Sequence, residues 1–251
     1  MAWWEIVLIA VAGLWAGTIN TVVGSGTLVT FPVLVALGFP PVTATTSNAI
    51  GLITGSVTGA VGYRHELVGQ RRRLVRYGIA SFVGAIGGTV LLLSLPADAF
   101  ETIVPVLVAL SVVLVAVQPL LTRRLRTRDA APSGRPWLLY PLVLLVGIYG
   151  GYFTAAQGIM LVGVMGLLLE DPLQRLNAFK NVLSAIVNIV AGAIYAVVAP
   201  VDWRVVGILA VSSTAGGLLG ARIGRRLSPT LLRVLIVVIG SVAVVDLLLN
   251  R

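Results

Sequence analysis

The chain has 251 residues, 58% hydrophobic and only 11% charged, with a formal net charge of +9, no cysteine and one histidine. About a quarter of a soluble domain's residues are charged, so this composition excludes a water-soluble globular protein and predicts a polytopic membrane protein. The positive charge falls in short arginine clusters between apolar runs, which marks cytoplasmic loops and argues against a nucleic-acid partner. Without cysteine there are no disulfides, thiolate nucleophiles or cysteine-ligated metals, and His65 sits in a basic loop between Arg64 and Glu66, so no metal site and no cofactor is expected.

Residues 3 to 23 form the first apolar segment. Met1-Ala2-Trp3-Trp4-Glu5 lacks the basic region of a secretory signal, so this segment is expected to stay as a mature helix. The break Gly24-Ser25-Gly26 separates it from a second segment ending at Gly38; each is near or below the roughly 20 residues a full span needs, which suits short or broken helices. Phe39-Pro40-Pro41 ends the second segment, because proline removes a donor and disfavours helix in the residue before it. A third helix is predicted from about Thr43 to Tyr63. Along it Thr43, Ser47, Gly51, Thr54 and Thr58 recur at steps of three or four, which places them on one face.

Arg64, Arg71, Arg72, Arg73 and Arg76 make the first basic loop. Segments 77–95 and 100–118 follow, joined by an acidic turn with Pro96, Asp98 and Glu101. A second cluster, Arg123, Arg124, Arg126, Arg128 and Arg135, lies with Pro132, Ser133, Gly134 and Pro136 in a stretch that reads as a linker. Further segments are predicted at 137–155, 158–169, 176–199, 203–221 and 229–249, with a polar junction from Glu170 to Lys180 and a third cluster of Arg222, Arg225 and Arg226 before the last. If all ten segments cross, the three clusters share one side, as the positive-inside rule requires. If the short segments are re-entrant, the count drops.

The second half repeats the first. Gly13, Gly17, Gly24 and Ala44 recur as Gly147, Gly151, Gly158 and Ala178 at an offset of 134, and Trp3 matches Trp137. Thr43, Ser47 and Thr54 become Asn177, Asn181 and Asn188; after a slip of one residue, Gly84, Gly87 and Pro96 match Gly217, Gly220 and Pro229. The fold expected is therefore an all-α polytopic membrane protein of about eight to ten transmembrane or half-spanning helices. It divides into a first repeat over 1–121, a basic cytoplasmic linker over 122–136 and a second repeat over 137–251. Five segments per repeat is an odd number, so the second half enters the membrane the opposite way up, making an inverted repeat.

Inverted repeats with glycine-interrupted segments at matching positions point to a transporter with its substrate at the interface between repeats. Unwound stretches such as Gly24-Ser25-Gly26 and Ala156-Gln157-Gly158 present backbone N–H groups and helix N-termini, which favour an anion; the competing role of such glycines is close helix packing. Thr43, Ser47 and Thr54 from one half and Asn177, Asn181, Ser184 and Asn188 from the other are candidate donors to the same anion, or hydrogen-bonding contacts between helices. Lys180 is the one basic residue within a stripe, placed to attract an anion or to snorkel to the interface. Glu5 and Asp246 are the acids within apolar runs and are weaker candidates for carrying protons.

Gly17 through Pro32, then Gly38 and the helix carrying Ala44-Thr45-Thr46-Ser47, resemble the first motif of the TauE/SafE sulfite-exporter-like permeases, and Ala178-Phe179-Lys180-Asn181 looks like its second copy. The resemblance covers nearly the whole chain. It implies secondary transport of a small anion, such as sulfite, an organosulfonate or a related sulfur or carboxylate compound, coupled to the proton gradient. The partners implied are that anion, protons and the lipid bilayer of a bacterial-type plasma or inner membrane. The chain departs from the family pattern in its short first loop, Gly24-Ser25-Gly26, and in its second, Thr154-Ala155-Ala156-Gln157-Gly158; both lie in the presumed binding loops.

Two rival classes remain at this level. A membrane-embedded enzyme lacks the usual catalytic groups; Lys180 and Ser184, at contact spacing on a helix, would be its last resort. An anion channel, or a scaffold or helper subunit that transports nothing, would use the same small-residue packing.

Overall fold

The computed structural model describes residues 1–126, 136–223 and 229–249. The helices are α1 (Trp3–Val22), α2 (Thr27–Ala36), α3 (Pro41–Gly51), α4 (Ile53–Gly62), α5 (Arg71–Ser94), α6 (Ala97–Arg126), α7 (Leu139–Tyr152), α8 (Gln157–Leu168), α9 (Leu173–Val198), α10 (Trp203–Ile223) and α11 (Pro229–Leu249). Most of the expected linker (127–135), with Arg128 and Arg135, lies outside the described residues, as do Arg225 and Arg226 and the side chain of Asp246.

Among the described helices, α1, α5, α9, α10 and the Asp98–Leu120 stretch of α6 are long and apolar enough to cross a membrane. In contrast, α2, α7 and α8 have 10, 14 and 12 residues. At 1.5 Å per residue they reach roughly 15–21 Å, well short of a 30 Å hydrocarbon core. The outward faces of α5 and α6 are apolar, with Val75, Ile79, Val83, Val106 and Val113 all exposed, as suits contact with lipid. Trp3, Trp137 and Trp203 are exposed near helix starts, where the amphipathic indole anchors at an interface.

The predicted third helix is interrupted. Leu52 separates α3 from α4, beside Gly51, whose carbonyl accepts a hydrogen bond from the Ser213 hydroxyl (3.0 Å). A glycine together with a side chain inserted into the backbone ladder is a known cause of kinks. The start of α5 is also earlier than predicted: Arg71, Arg72, Arg73 and Arg76 stand on its first turns rather than in a loop.

Helices pack in pairs: α1 runs along α10 and α7 along α5; α4 lies against α10 and α9 against α5; α6 meets α11. Glycine sets the closeness of the two leading pairs. A Cβ on Gly17 would strike the Ser213 carbonyl, and one on Gly216 the Leu14 carbonyl. Likewise, a Cβ on Gly88 would strike the Ile148 carbonyl, and one on Gly151 the Ala85 carbonyl. Thr18 joins the first pair through hydrogen bonds to the carbonyls of Leu14 (2.9 Å) and Gly216 (3.0 Å). Such small-residue faces let membrane helices gain dispersion contacts that lipid tails cannot replace.

Candidate functional site

Two broken helices meet at the centre of the arrangement. The chain leaves α1 through Gly24, at φ +95, before α2 starts at Thr27. It leaves α7 through Thr154 (φ 66) and Ala156 (φ 54) before α8 starts at Gln157. The two breaks touch: the Gly158 N–H donates to the Gly24 carbonyl at 3.0 Å. A Cβ on Gly24 would lie 2.6 Å from Gly158 Cα, and one on Gly158 would lie 2.5 Å from Gly24 Cα and 2.9 Å from Lys180 Cδ. Only glycine at both positions permits this approach.

Lys180, from α9, passes through the same point. It is 1% exposed, and its Nζ donates to the carbonyls of Asn20 (3.0 Å) and Thr21 (2.9 Å) in the last turn of α1. The last carbonyls of a helix lack internal partners, and a cation beside them is favoured by the helix dipole. Lys180 therefore caps α1 where the break exposes it. The polar track continues along α9: the Asn188 amide donates to Ser56 Oγ (2.8 Å), which also accepts from the Asn20 amide (3.1 Å).

Several buried polar atoms around this junction have no hydrogen-bonding partner: Ser25 Oγ, both amide atoms of Gln157, Asn181 Nδ2 and Asn188 Oδ1. An unpaired buried donor or acceptor costs roughly 1–3 kcal/mol; Thr45, Ser81, Tyr152 and Gln174 carry further such atoms elsewhere in the fold. Ser25, Gln157 and Asn181 are each one residue from the three that touch, hence within about 4 Å along the chain.

The structure brings together Gly24, Ser25, Gln157, Gly158, Lys180 and Asn181, with Asn188 joined through Asn20 and Ser56. Ser184 is buried between Asn181 and Asn188 along α9, and Asn177 is half-buried one turn nearer its start. Gly26 packs against the Ala16 carbonyl of α1. The other stripe goes elsewhere. Ser47 Oγ accepts from the Asp202 N–H (2.9 Å), Thr54 donates to the Ala210 carbonyl (2.8 Å), and Thr43 is half-buried, its carbonyl accepting from Thr46 (3.2 Å). The α3–α4 stripe thus shares a face, but Ser47 and Thr54 turn it towards α10 and its entry rather than across to α9.

Sequence reasoning missed Asn20, Ser56 and Asn48. Asn20 had a signal, since the residue 134 positions on, Thr154, is also polar. Asn48 ties α3 to α2, donating to Thr27 Oγ1 (3.1 Å) and accepting from Thr30 Oγ1; nothing in the repeat marks it, because position 182 is valine. Glu5 belongs to the start of α1, where its carboxylate accepts from the Ala2 N–H (2.6 Å).

One ionic cluster flanks the site. Asp171, between α8 and α9, accepts two bonds from Arg73 of α5 and one from Arg175 (3.0 Å), while Arg73 lies over the Phe179 ring at 5.3 Å. Burial works against the Asp171 carboxylate, but the bonds from both arginines outweigh it and hold its pKa below the ordinary value.

The family model for "Sulfite exporter TauE/SafE" matches residues 9–247. The chain is 28% identical over 234 residues to the probable membrane transporter protein YfcA of Escherichia coli, covering 93% of this chain and 86% of that one. It is 25% identical over 228 residues to a probable membrane transporter protein of Haemophilus influenzae, covering 90% and 88%. A probable membrane transporter protein of Sinorhizobium is 21% identical over 249 residues, covering 99% and 94%. No solved structure matches the chain. With the match spanning both broken helices and nearly every described residue, the chain is a multi-pass membrane transporter, not an enzyme, and belongs to the TauE/SafE sulfite exporter family.

Proposed function

We propose that this transporter is a proton-coupled carrier of a small anion, in the class of sulfite, organosulfonates and related sulfur or carboxylate compounds, and that the anion binds where the two breaks meet. The observation that carries the reading is the Gly24–Gly158 contact around buried Lys180, with unpaired polar atoms on the residues next in the chain, Ser25, Gln157 and Asn181. The first N–H groups of α8 are already spent on the carbonyls of Thr154, Gly24 and Ala156, so the groups that would replace water around an oxyanion are the lysine, the Ser25 hydroxyl and the neutral amides. The family description, sulfite exporter, supports the substrate class.

The two halves, 1–121 and 137–251 joined by the basic linker 122–136, act as an inverted repeat with alternating access. Supporting this is the exchange of partners: α1 pairs with α10 as α7 pairs with α5, and α4 with α10 as α9 with α5. Those interfaces join one half to the other, so rocking at them would expose the junction to either side in turn. The test is uptake of labelled sulfite into proteoliposomes with and without an imposed pH gradient, with sulfate, sulfoacetate and acetate as competitors. Saturable, gradient-dependent uptake is expected; flux that does not saturate would instead identify a channel, and no flux from folded protein a scaffold.

A further inference from the structure

We infer that the junction selects anions by charge number, accepting monoanions and rejecting dianions, with Lys180 setting the limit. The inference rests on the reading above that an anion occupies the junction. Among the described residues, Lys180 is the only charged residue that is buried as a whole; the Asp171 side chain, 8% exposed, is taken up by Arg73 and Arg175. No carboxylate pairs with Lys180 there; its partners are the backbone carbonyls of Asn20 and Thr21.

The unpaired groups on the residues next to the contact, Ser25, Asn181 and Gln157, whose amide packs against Gly150 of α7, are neutral. The arginines that approach this end of α9, Arg73 and Arg175, share Asp171 and keep about a third of their side-chain surface exposed (34% and 33%). The site therefore supplies at most one positive charge. A bound monoanion brings it to neutrality, whereas a dianion leaves at least one uncancelled negative charge away from water, which is the costly outcome in a low-dielectric interior. Hydroxyls and amides solvate an oxyanion but cannot cancel that excess.

The donors of Lys180 allow a single charge pair. A lysine ammonium has three N–H donors, and carbonyls occupy two on Lys180, so one remains for an anion oxygen. Asn181 Nδ2, one residue along, is also without a partner. Substrate identity within the class is then decided first by charge and only afterwards by shape.

The test uses the full chain in proteoliposomes taking up radiolabelled sulfite at about pH 6, where the hydrogensulfite monoanion predominates. Two competitor pairs hold their charge near neutral pH: methanesulfonate against the near-isosteric sulfate, and ethanesulfonate against ethane-1,2-disulfonate. The monoanion of each pair should inhibit at least about tenfold more strongly, a factor equivalent to about 1.4 kcal/mol. Adding a second positive charge with Gln157→Lys should raise inhibition by sulfate towards that of methanesulfonate, a gain that a purely structural role for Lys180 would not produce. Dianions that compete as well as their monoanion partners, with sulfite uptake intact, would overturn the charge rule and leave the carrier reading standing. No uptake of sulfite by folded, monodisperse protein would overturn both. If Gln157→Lys does not fold, the wild-type pairs still decide.

Discussion

The two breaks carry glycines 134 residues apart, Gly24 and Gly158, but are built from different chemistry. At the first, a glycine takes the left-handed conformation, and the last carbonyls of α1 are capped by the cation of Lys180. At the second, Thr154 and Ala156 take that conformation without the freedom of glycine; the Gly150 carbonyl is capped by Thr154 (2.8 Å) and the Gly151 carbonyl by the Tyr195 hydroxyl. Both caps that reach across from α9, Lys180 and Tyr195, come from the same helix. The lesson is that helices break at glycines 134 residues apart, while a cation caps only the first of the two ends, so the junction is polarised.

If close approach of the breaks is the common element, crowding it should have the largest effect. Gly158→Val would drive side-chain atoms into Gly24 and Lys180 and should destabilise the fold by about 2–3 kcal/mol, measured as thermal unfolding in detergent, with uptake abolished. A wild-type unfolding curve would show that the approach is not required.

The charged flank of the second half comes next. Asp171→Asn should cost about 1–3 kcal/mol at neutral pH, because it removes charge-assisted bonds to Arg73 and Arg175. Since the folded carboxyl titrates below its ordinary value of about 3.9, its contribution is complete above that pH and is lost as the pH falls through the folded value. The gap between wild type and variant should accordingly be constant from about pH 5 to 8 and close in acid; a gap that closes near neutral pH would assign the effect to another group.

The two stripes are separated by a paired substitution. Asn181→Ala should raise the apparent KM for the transported anion several-fold with little change in stability, since its Nδ2 has no protein partner to lose. Ser47→Ala should do the reverse, costing about 1 kcal/mol of stability through the lost bond to the Asp202 N–H while KM stays put. Matching KM changes in both would place the α3 stripe in the site after all. The smallest effect is expected at the strained break. Ala156→Gly relieves about 1–2 kcal/mol of left-handed strain but gives up about 0.8 kcal/mol of buried methyl and about 0.4–1 kcal/mol to the greater freedom of glycine in the unfolded chain, so the unfolding free energy should stay within about 1 kcal/mol of wild type.

Much of this was legible in the residues. Composition settled the membrane environment because a chain this apolar has no soluble solution, and the offset of 134 located both breaks because glycine in an apolar run is a local backbone statement. Segment boundaries were mostly close, as at 203–221 against α10, since apolar length is also local. The reading went astray where a local pattern had two possible partners. The face Thr43–Ser47–Thr54 is real as a periodicity, but its hydroxyls bond to Asp202 and Ala210, and periodicity does not say which helix lies opposite.

By itself, then, the sequence determined the solvent, the places where helices break and the family to which the chain belongs. Only the tertiary structure decided that Gly24 and Gly158 touch, that Lys180 spends two donors on the end of α1, and that Asn20 and Ser56 join the polar track. The reason is physical. Breaking a helix depends on neighbours in the chain, whereas satisfying the carbonyls that the break exposes depends on which side chain the fold brings from 160 residues away.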